Sequence, residues 1–337
     1  MNNTQTLNKL IENKNLTLDE TKEFFDAVLN GDISSIQLAA ILVALRIKGE
    51  TTDEILGLIH VMREHMLPVN LPDALDVCGT GGDGSNTFNI STAVAFVVAG
   101  AGIKIAKHGN RAASSKCGSA DVLEALGVHI QLTPQQAEEV FAKIGMVFLF
   151  APAFHPALKH VASVRKELGI RTIFNFLGPF VNPASVKNQL IGVPDLMVAK
   201  RLNAVAKKLP YERLVLVTSE DGMDEVSLSA KTHLFAIDGI NSKQSFISPE
   251  MYGFTRVPST DLLGGTAPEN AQMIQDILSG VAGPKRDIVL FNAAVALYAA
   301  GKVDDITSGI TLAEESIASG RAKKVLENLI KETHKYA

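Results

Sequence analysis

The spacing of apolar positions divides the chain into three regimes. Over residues 1–67 apolar side chains recur at helical spacing, and three hydroxyls stand three residues ahead of an acid or amide: Thr17 before Glu20, Ser34 before Gln37, Thr51 before Glu54. Each pair can satisfy orphan donors of a helix start, so three capped helices are predicted, two of them closed by Gly31 and Gly49. Leu38, Ile41, Leu42 and Leu45 make one of these helices apolar over an arc wider than a single core-facing stripe needs. A second copy of the chain or the helix's own neighbours would cover such an arc. Pro68 and Pro72 then mark a linker.

From residue 74 short apolar runs alternate with helical patterns. Strands are predicted over 74–78, 103–106, 146–150, 188–193 and 214–218, with His129 in a further short strand. Thr133 and Gln136 form a capping box with Pro134 at the first helical position, opening a helix that ends at Gly145. The third regime, 151–183, breaks the alternation, with prolines around a helix over about 156–168. Residues 228–247 read as a hairpin turning at Asp238-Gly239, hence an antiparallel edge, and the chain from about 268 reads as helical. The expected class is α/β: a small helical N-terminal domain (1–70) and a larger α/β domain (71–337) whose mostly parallel central sheet is flanked by helices.

Composition narrows the function. A formal charge of −4 over 337 residues gives no basic footprint, which argues against a nucleic-acid partner; an anionic ligand must be held by a local cluster. Cys78 and Cys117 lack metal-ligand spacing and fit a reducing cytosol. The polar start MNNTQTLNKL has no signal-peptide pattern, and the longest apolar run, 93–103, is too short for a bilayer, so a cytoplasmic protein with no membrane partner is expected.

The chemistry concentrates in 76–127. A predicted strand stops at Gly79, Gly81, Gly82 and Gly84, and Ser91-Thr92 opens an apolar helix. Glycines let backbone N–H groups approach an anion and a helix start adds unpaired donors, so this loop suits phosphate. The next strand delivers Lys107-His108-Gly109-Asn110-Arg111 in a loop at the same sheet edge, because a parallel βαβ unit brings its strand ends together. The GxGxxG match at 79–84 is not a dinucleotide fingerprint, since the helix starts several residues late and no acid stands about 20 residues on. Nor is it a Walker A loop, because no Lys-Ser or Lys-Thr follows. Ser119 either caps the next helix or adds a phosphate contact, and the two can coexist. Taken alone, Arg165 reads as a solvated charge and the acids Glu220, Asp221, Asp224 and Glu225 as a solvated loop.

Gly79-Thr80-Gly81-Gly82-Asp83, Asn89-Ile90-Ser91-Thr92 and Lys107-His108-Gly109-Asn110-Arg111 resemble, in order and spacing, the signature loops of the anthranilate phosphoribosyltransferase family, whose fold the nucleoside phosphorylases share. The resemblance extends over nearly the whole chain and includes HPALKHVASVRKELGIRTIFNFLGP and the pair Asp224-Glu225. The upstream Thr218-Ser219-Glu220 departs from the family's His-Gly. It implies that phosphoribosyl pyrophosphate (PRPP) is bound by Gly79, Gly82, Asp83, Thr87, Asn89, Ile90, Ser91, Thr92, Lys107, His108, Gly109, Asn110, Arg111, Ala112, Ala113, Ser114, Ser115 and Ser119. It likewise implies anthranilate at Gly79, Asn110 and Arg165, Mg²⁺ at Ser91, Asp224 and Glu225, and no obligatory general base, His108 serving loop structure rather than proton transfer. A planar guanidinium suits a carboxylate because two parallel N–H bonds form at once, and Mg²⁺ prefers oxygen ligands shared with phosphates. The remaining expectations are a homodimer through the helical domain and completion of that domain by part of about 155–185, with the acceptor opposite the phosphate loops.

Overall fold

The computed structural model describes residues 3–112 and 116–337. Four helices come first: α1 (Asn3–Ile11), α2 (Leu18–Asn30), α3 (Ser35–Lys48) and α4 (Thr52–His65). Complete capping boxes open α2 and α4, whereas at α3 Ser34 accepts from the Gln37 N–H and the Gln37 carboxamide oxygen accepts from the Ser34 hydroxyl and from Asn3 rather than from the Ser34 N–H. The broad apolar arc of α3 splits in two. Leu38, Ile41, Leu42 and Leu45 are buried by the protomer's own helices, and Ile36 and Ile47, 83% and 81% exposed, carry the outward face.

The sheet contains β1 (Leu75–Gly79), β2 (Ile105–Gly109), β3 (Met146–Phe150), β4 (Asn188–Gly192), β5 (Arg213–Ser219), β6 (Thr232–Asp238) and β7 (Asn241–Ile247), in the order β3-β2-β1-β4-β5-β6-β7. The first five strands are parallel and the β6–β7 hairpin is the antiparallel edge. Between them run α5 (Ile90–Gly100), α6 (Ser119–Ala125), α7 (Pro134–Ile144), the short α8 (Ala151–Phe154), α9 (Lys159–Leu168) and α10 (Leu196–Ala206); α11 (Ala267–Leu278), α12 (Pro284–Ala299), α13 (Ile306–Ala318) and α14 (Arg321–Thr333) complete the chain.

Three expectations are corrected beyond shifts of a residue at strand ends. β2 begins at Ile105 and runs to Gly109, so Lys107 and His108 are strand residues rather than loop residues. Ile103 is spent on the turn out of α5, bonding Val98, and the ladder to β3 continues through the polar residues because backbone pairing is indifferent to side-chain polarity. His129 is not in a strand: Val128, Ile130 and Leu132 alternate into the core, but the stretch runs beside no ladder and the His129 N–H goes to Thr333 Oγ1. The segment expected as a helix over 156–168 starts as a 3₁₀ turn, Pro156–Leu158, before α9.

Alternation along the strands builds two cores, one on each face of the sheet. Leu190, Val215 and Val217 face the core shared with α5 and α12, while Ile191, Leu214 and Leu216 face a second core that includes Phe25, Leu42 and Ile59 of the N-terminal helices. Val161 and Val164 of α9, with Ile173 and Phe174 beyond it, belong to that second core. The helical layer therefore packs beside one face of the sheet. No helix among the described residues is long and apolar enough to cross a membrane.

Candidate active site

The strand order places a site before any side chain is considered. Progress across the sheet runs outward through β1, β2 and β3, then restarts on the other side of β1 with β4. Ligands of open α/β sheets bind at such a switch point, beyond the carboxyl ends of the strands. Here those ends are Gly79 of β1 and Gly192 of β4, paired to each other. Both must lack a Cβ: one at Gly192 would collide with the Asp224 backbone and one at Gly79 with the Asp224 carboxylate. The two glycines open the space into which the acidic loop after β5 folds.

Asp224 lies there with Asp83 and Glu225, one carboxylate oxygen from each falling within 4.8 Å of the others. Burial and the Asp83 charge push Asp224 up to about 6, and burial with the Asp224 charge raises Glu225 well above the ordinary carboxylate range. Glu225 Oε2 is buried with no hydrogen-bond partner among the described residues. Three acids held this close, one with an orphaned oxygen, fit a divalent cation with oxygen preference. Asn292 of α12 aims the loop: its side chain accepts from the Val226 N–H and donates to the Val226 carbonyl, both at 2.8 Å.

Lys107 and His108 are adjacent in β2 and so point to opposite faces of the sheet. Lys107 Nζ, buried, donates to the Val77 carbonyl at 2.6 Å and to Ser91 Oγ, at the start of α5, at 3.2 Å. Burial lowers its pKa, and nearby Asp76 and Glu225 oppose that shift. His108 Nδ1 lies 3.1 Å from the Gly178 carbonyl and so carries the proton, leaving Nε2 a buried lone pair with no partner among the described residues. Its ring stands 5.2 Å from that of His155, whose ring nitrogens have no hydrogen-bond partner by geometry among the described residues. Burial holds both imidazoles neutral, lowering His108 to about 3 and His155 to about 4. Under this strand end, fully buried Asp76 accepts from the His108 N–H, Asn182 and Gln189, and so ties β1, β2 and β4 together.

On the helical side Arg165 of α9 is half-buried, its Cζ 5.4 Å from the centre of the Phe174 ring, with no hydrogen bond or ion pair among the described residues. Six residues on, Arg171 donates from Nη2 to the Gly81 carbonyl, which brings the α9 segment against the glycine loop.

The glycosyl transferase family models match both parts of the chain, the helical bundle domain over 4–66 and the a/b domain over 71–323. The anthranilate phosphoribosyltransferase of Geobacter sp. (strain M21) is 47% identical over 338 residues, 96% of each chain. The chain belongs to the anthranilate phosphoribosyltransferase family. Among solved structures, the anthranilate phosphoribosyltransferase of Thermus thermophilus is similar at TM-score 0.92 and 38% identity, covering 98% of this chain and 99% of that one. The Saccharomyces cerevisiae anthranilate phosphoribosyltransferase in complex with PRPP and Mg has TM-score 0.92 at 30% identity, and in complex with 4-fluoroanthranilate 0.90 at 29%, each covering 99% of this chain and 98% of that one.

Seen in this family's frame, the residues expected at the site fall into groups. Gly79, Asp83, Ser91, Lys107, Asp224 and Glu225 converge at the ends of β1, β2 and β5. Gly82 lies beneath Arg171. Ile90 and Thr92 are buried at the start of α5, and Thr87 is bridged to Leu263. The Asn89 side chain bonds the Cys117 carbonyl and Asn270, and so anchors the chain just ahead of α6. Gly109 admits Ser119 and Phe148. Asn110 is exposed, its carbonyl accepting from Ser119 Oγ; Ser119 is therefore not a cap, the cap of α6 being Gly118 with Asp121 as the returning side chain. Asp121 also accepts from the Ala112 N–H, and the Arg111 guanidinium is paired with Asp121 and Glu124. Ala113, Ser114 and Ser115 lie outside the described residues. Sequence reasoning did not reach Asn292, Asp76, Gly192 or Arg171, which act through distant backbone, and no local pattern marks them.

Proposed function

We propose that the chain transfers the 5-phosphoribosyl group of PRPP to the amine of anthranilate, giving N-(5-phosphoribosyl)anthranilate and pyrophosphate, a Mg²⁺-dependent step of tryptophan synthesis in the cytoplasm. The observation that carries the reading is the convergence of the glycine loop, the Lys107–Ser91 pair and three carboxylates at one switch point. The new bond joins the amine nitrogen to ribose C1 with inversion, the C1–oxygen bond to pyrophosphate breaks, and the amine gives up one proton to water or to the departing pyrophosphate.

The protein's first task is to stabilise charge on the departing pyrophosphate. The amides of the glycine loop and Lys107 supply donors and a cation, and a bound Mg²⁺ would add positive charge there, held by Asp224 and Glu225 with Asp83 beside them and Ser91 lining the same cavity as Asp224 and Glu225. The second task is to aim the acceptor. Arg165, with no protein partner among the described residues, is assigned to the anthranilate carboxylate, and Asn110 and Gly79 to its orientation. An aromatic amine is neutral and nucleophilic at pH 7, so no strong base is needed. His108 Nε2 is a buried acceptor that lacks a donor, and an amine N–H is such a donor.

Residues 1–70, completed by part of 155–185, are taken as the helical domain, and the outward face of α3, with Ile36 and Ile47, as a homodimer interface. The test is direct: purified protein with PRPP, Mg²⁺ and anthranilate should abolish anthranilate fluorescence with release of pyrophosphate. Unchanged fluorescence at saturating substrates and metal would reject the reading.

A further inference from the structure

Backbone preference alone does not fix the shape of the glycine loop. Gly81, Gly82 and Gly84 lie at φ of 72°, 72° and 74°, a region glycine enters about as readily as negative φ, so their conformation is set by whatever binds the backbone. Most of those restraints come from the loop itself or from the α/β domain. The Thr80 N–H donates to the Gly192 carbonyl at 2.9 Å, the Gly81 N–H to Asp224 Oδ2 at 2.8 Å, and Asp83 accepts from the Ser85 N–H and hydroxyl. One restraint comes from the opposite side. Arg171, two residues past the left-handed Gly169 that closes α9, donates to the Gly81 carbonyl and lies across Gly82, where any Cβ would collide with its guanidinium.

We infer that Arg171 is a positioning residue for this reaction, fixing the pyrophosphate-binding glycine loop from the acceptor side of the cleft. The inference rests on the proposed reading of that loop as a pyrophosphate cradle. Two features separate Arg171 from an ordinary surface cation. Its hydrogen bond to Gly81 is its one polar partner among the described residues, so no carboxylate neutralises it, and its charge stays beside a loop meant for phosphate. Gly81 is gripped at both ends, by Asp224 on its N–H and by Arg171 on its carbonyl. Once Asp224 is engaged by a divalent cation, less of that carboxylate is left for the Gly81 N–H, and the Arg171 bond bears more of the restraint. A planar fork can lie flat on Gly82 while donating to the next carbonyl, which a lysine ammonium cannot reproduce.

The consequence is that PRPP affinity depends on a residue of the segment that also carries Arg165. The test compares Arg171→Ala and Arg171→Lys with Lys166→Ala, an exposed cation of the same segment with no hydrogen bond or ion pair to the loop among the described residues. Calorimetric binding of PRPP with Mg²⁺, in the absence of anthranilate, is measured beside the steady-state KM of each substrate and the melting temperature. Arg171→Ala should weaken PRPP binding about tenfold, the scale of one lost hydrogen bond to a charged group. It should leave the anthranilate KM at saturating PRPP within about twofold and the melting temperature unchanged, Arg171→Lys should recover part of the loss, and Lys166→Ala should lose nothing. The inference is overturned by unaltered PRPP binding in Arg171→Ala, by an equal loss in Lys166→Ala, or by parallel losses on both substrates with a lower melting temperature. A wild-type protein that neither binds nor consumes PRPP would instead sink the reading of function on which the inference depends.

Discussion

Replacing Arg165 with alanine separates a ligand-binding guanidinium from a structural one. Arg165 is half-buried over Phe174 and has no hydrogen bond or ion pair among the described residues, and burial lowers its pKa, so the folded protein keeps a cation there at a desolvation cost that the Phe174 ring offsets only in part. A carboxylate brought by the acceptor would supply two parallel charge-assisted bonds. Their net worth, about 2–3 kcal/mol together, corresponds to roughly 30- to 150-fold in affinity. Arg165→Ala should therefore raise the anthranilate KM by about that factor while the PRPP KM stays within about twofold. Stability should barely move, because the lost stacking on Phe174, about 0.5–1 kcal/mol, is opposed by relief of the desolvated charge. Steady-state kinetics with anthranilate and with aniline, which lacks the carboxylate, provide the assay. The wild-type preference for anthranilate over aniline should collapse in the variant. An unchanged anthranilate KM, or an equal loss on aniline, would refute the assignment, and a large fall in melting temperature would make Arg165 structural.

Other outcomes follow from the same geometry. Divalent metal must find its carboxylates ionised, and with Asp224 near 6 this acid is mostly protonated at pH 5 and mostly ionised at pH 7. Apparent Mn²⁺ affinity measured by calorimetry should accordingly be about tenfold weaker at pH 5, whereas equal affinities at the two values would remove Asp224 from the metal group. With His108 at about 3 and His155 at about 4, both imidazoles are neutral throughout the working range, so kcat at saturating metal should show no histidine ionisation between pH 6 and pH 8; an inflection there that His108→Gln abolishes would contradict this. Ile36→Asp combined with Ile47→Asp should yield a folded monomer by light scattering, and a particle of unaltered mass would move the interface elsewhere.

Much of the architecture was legible because it rests on local chemistry. Capping pairs such as Thr17–Glu20 and Thr133–Gln136 mark helix starts through hydrogen bonds three residues apart, and the β6–β7 hairpin is announced by its turn. The glycine loop was equally readable, since four glycines in six residues between a strand and a helix leave few uses other than an anion. Strand limits were less so. Lys107 and His108 look like loop residues, yet the ladder to β3 holds them in β2, and only that placement sends the lysine to Ser91 and the imidazole toward His155.

By itself the sequence determined the helical start of the chain, the alternating α/β plan, the phosphate loop and the family to which these belong, because each is written in residues close together along the chain. The tertiary structure decided the rest. Asp83 joins Asp224 and Glu225 in one acid group, Asn292 holds the acidic loop through Val226, and Arg171 reaches the glycine loop. Each of these joins residues 66 or more positions apart and acts on a backbone group or a shared charge, and neither propensity nor periodicity carries a record of which distant peptide a side chain will meet.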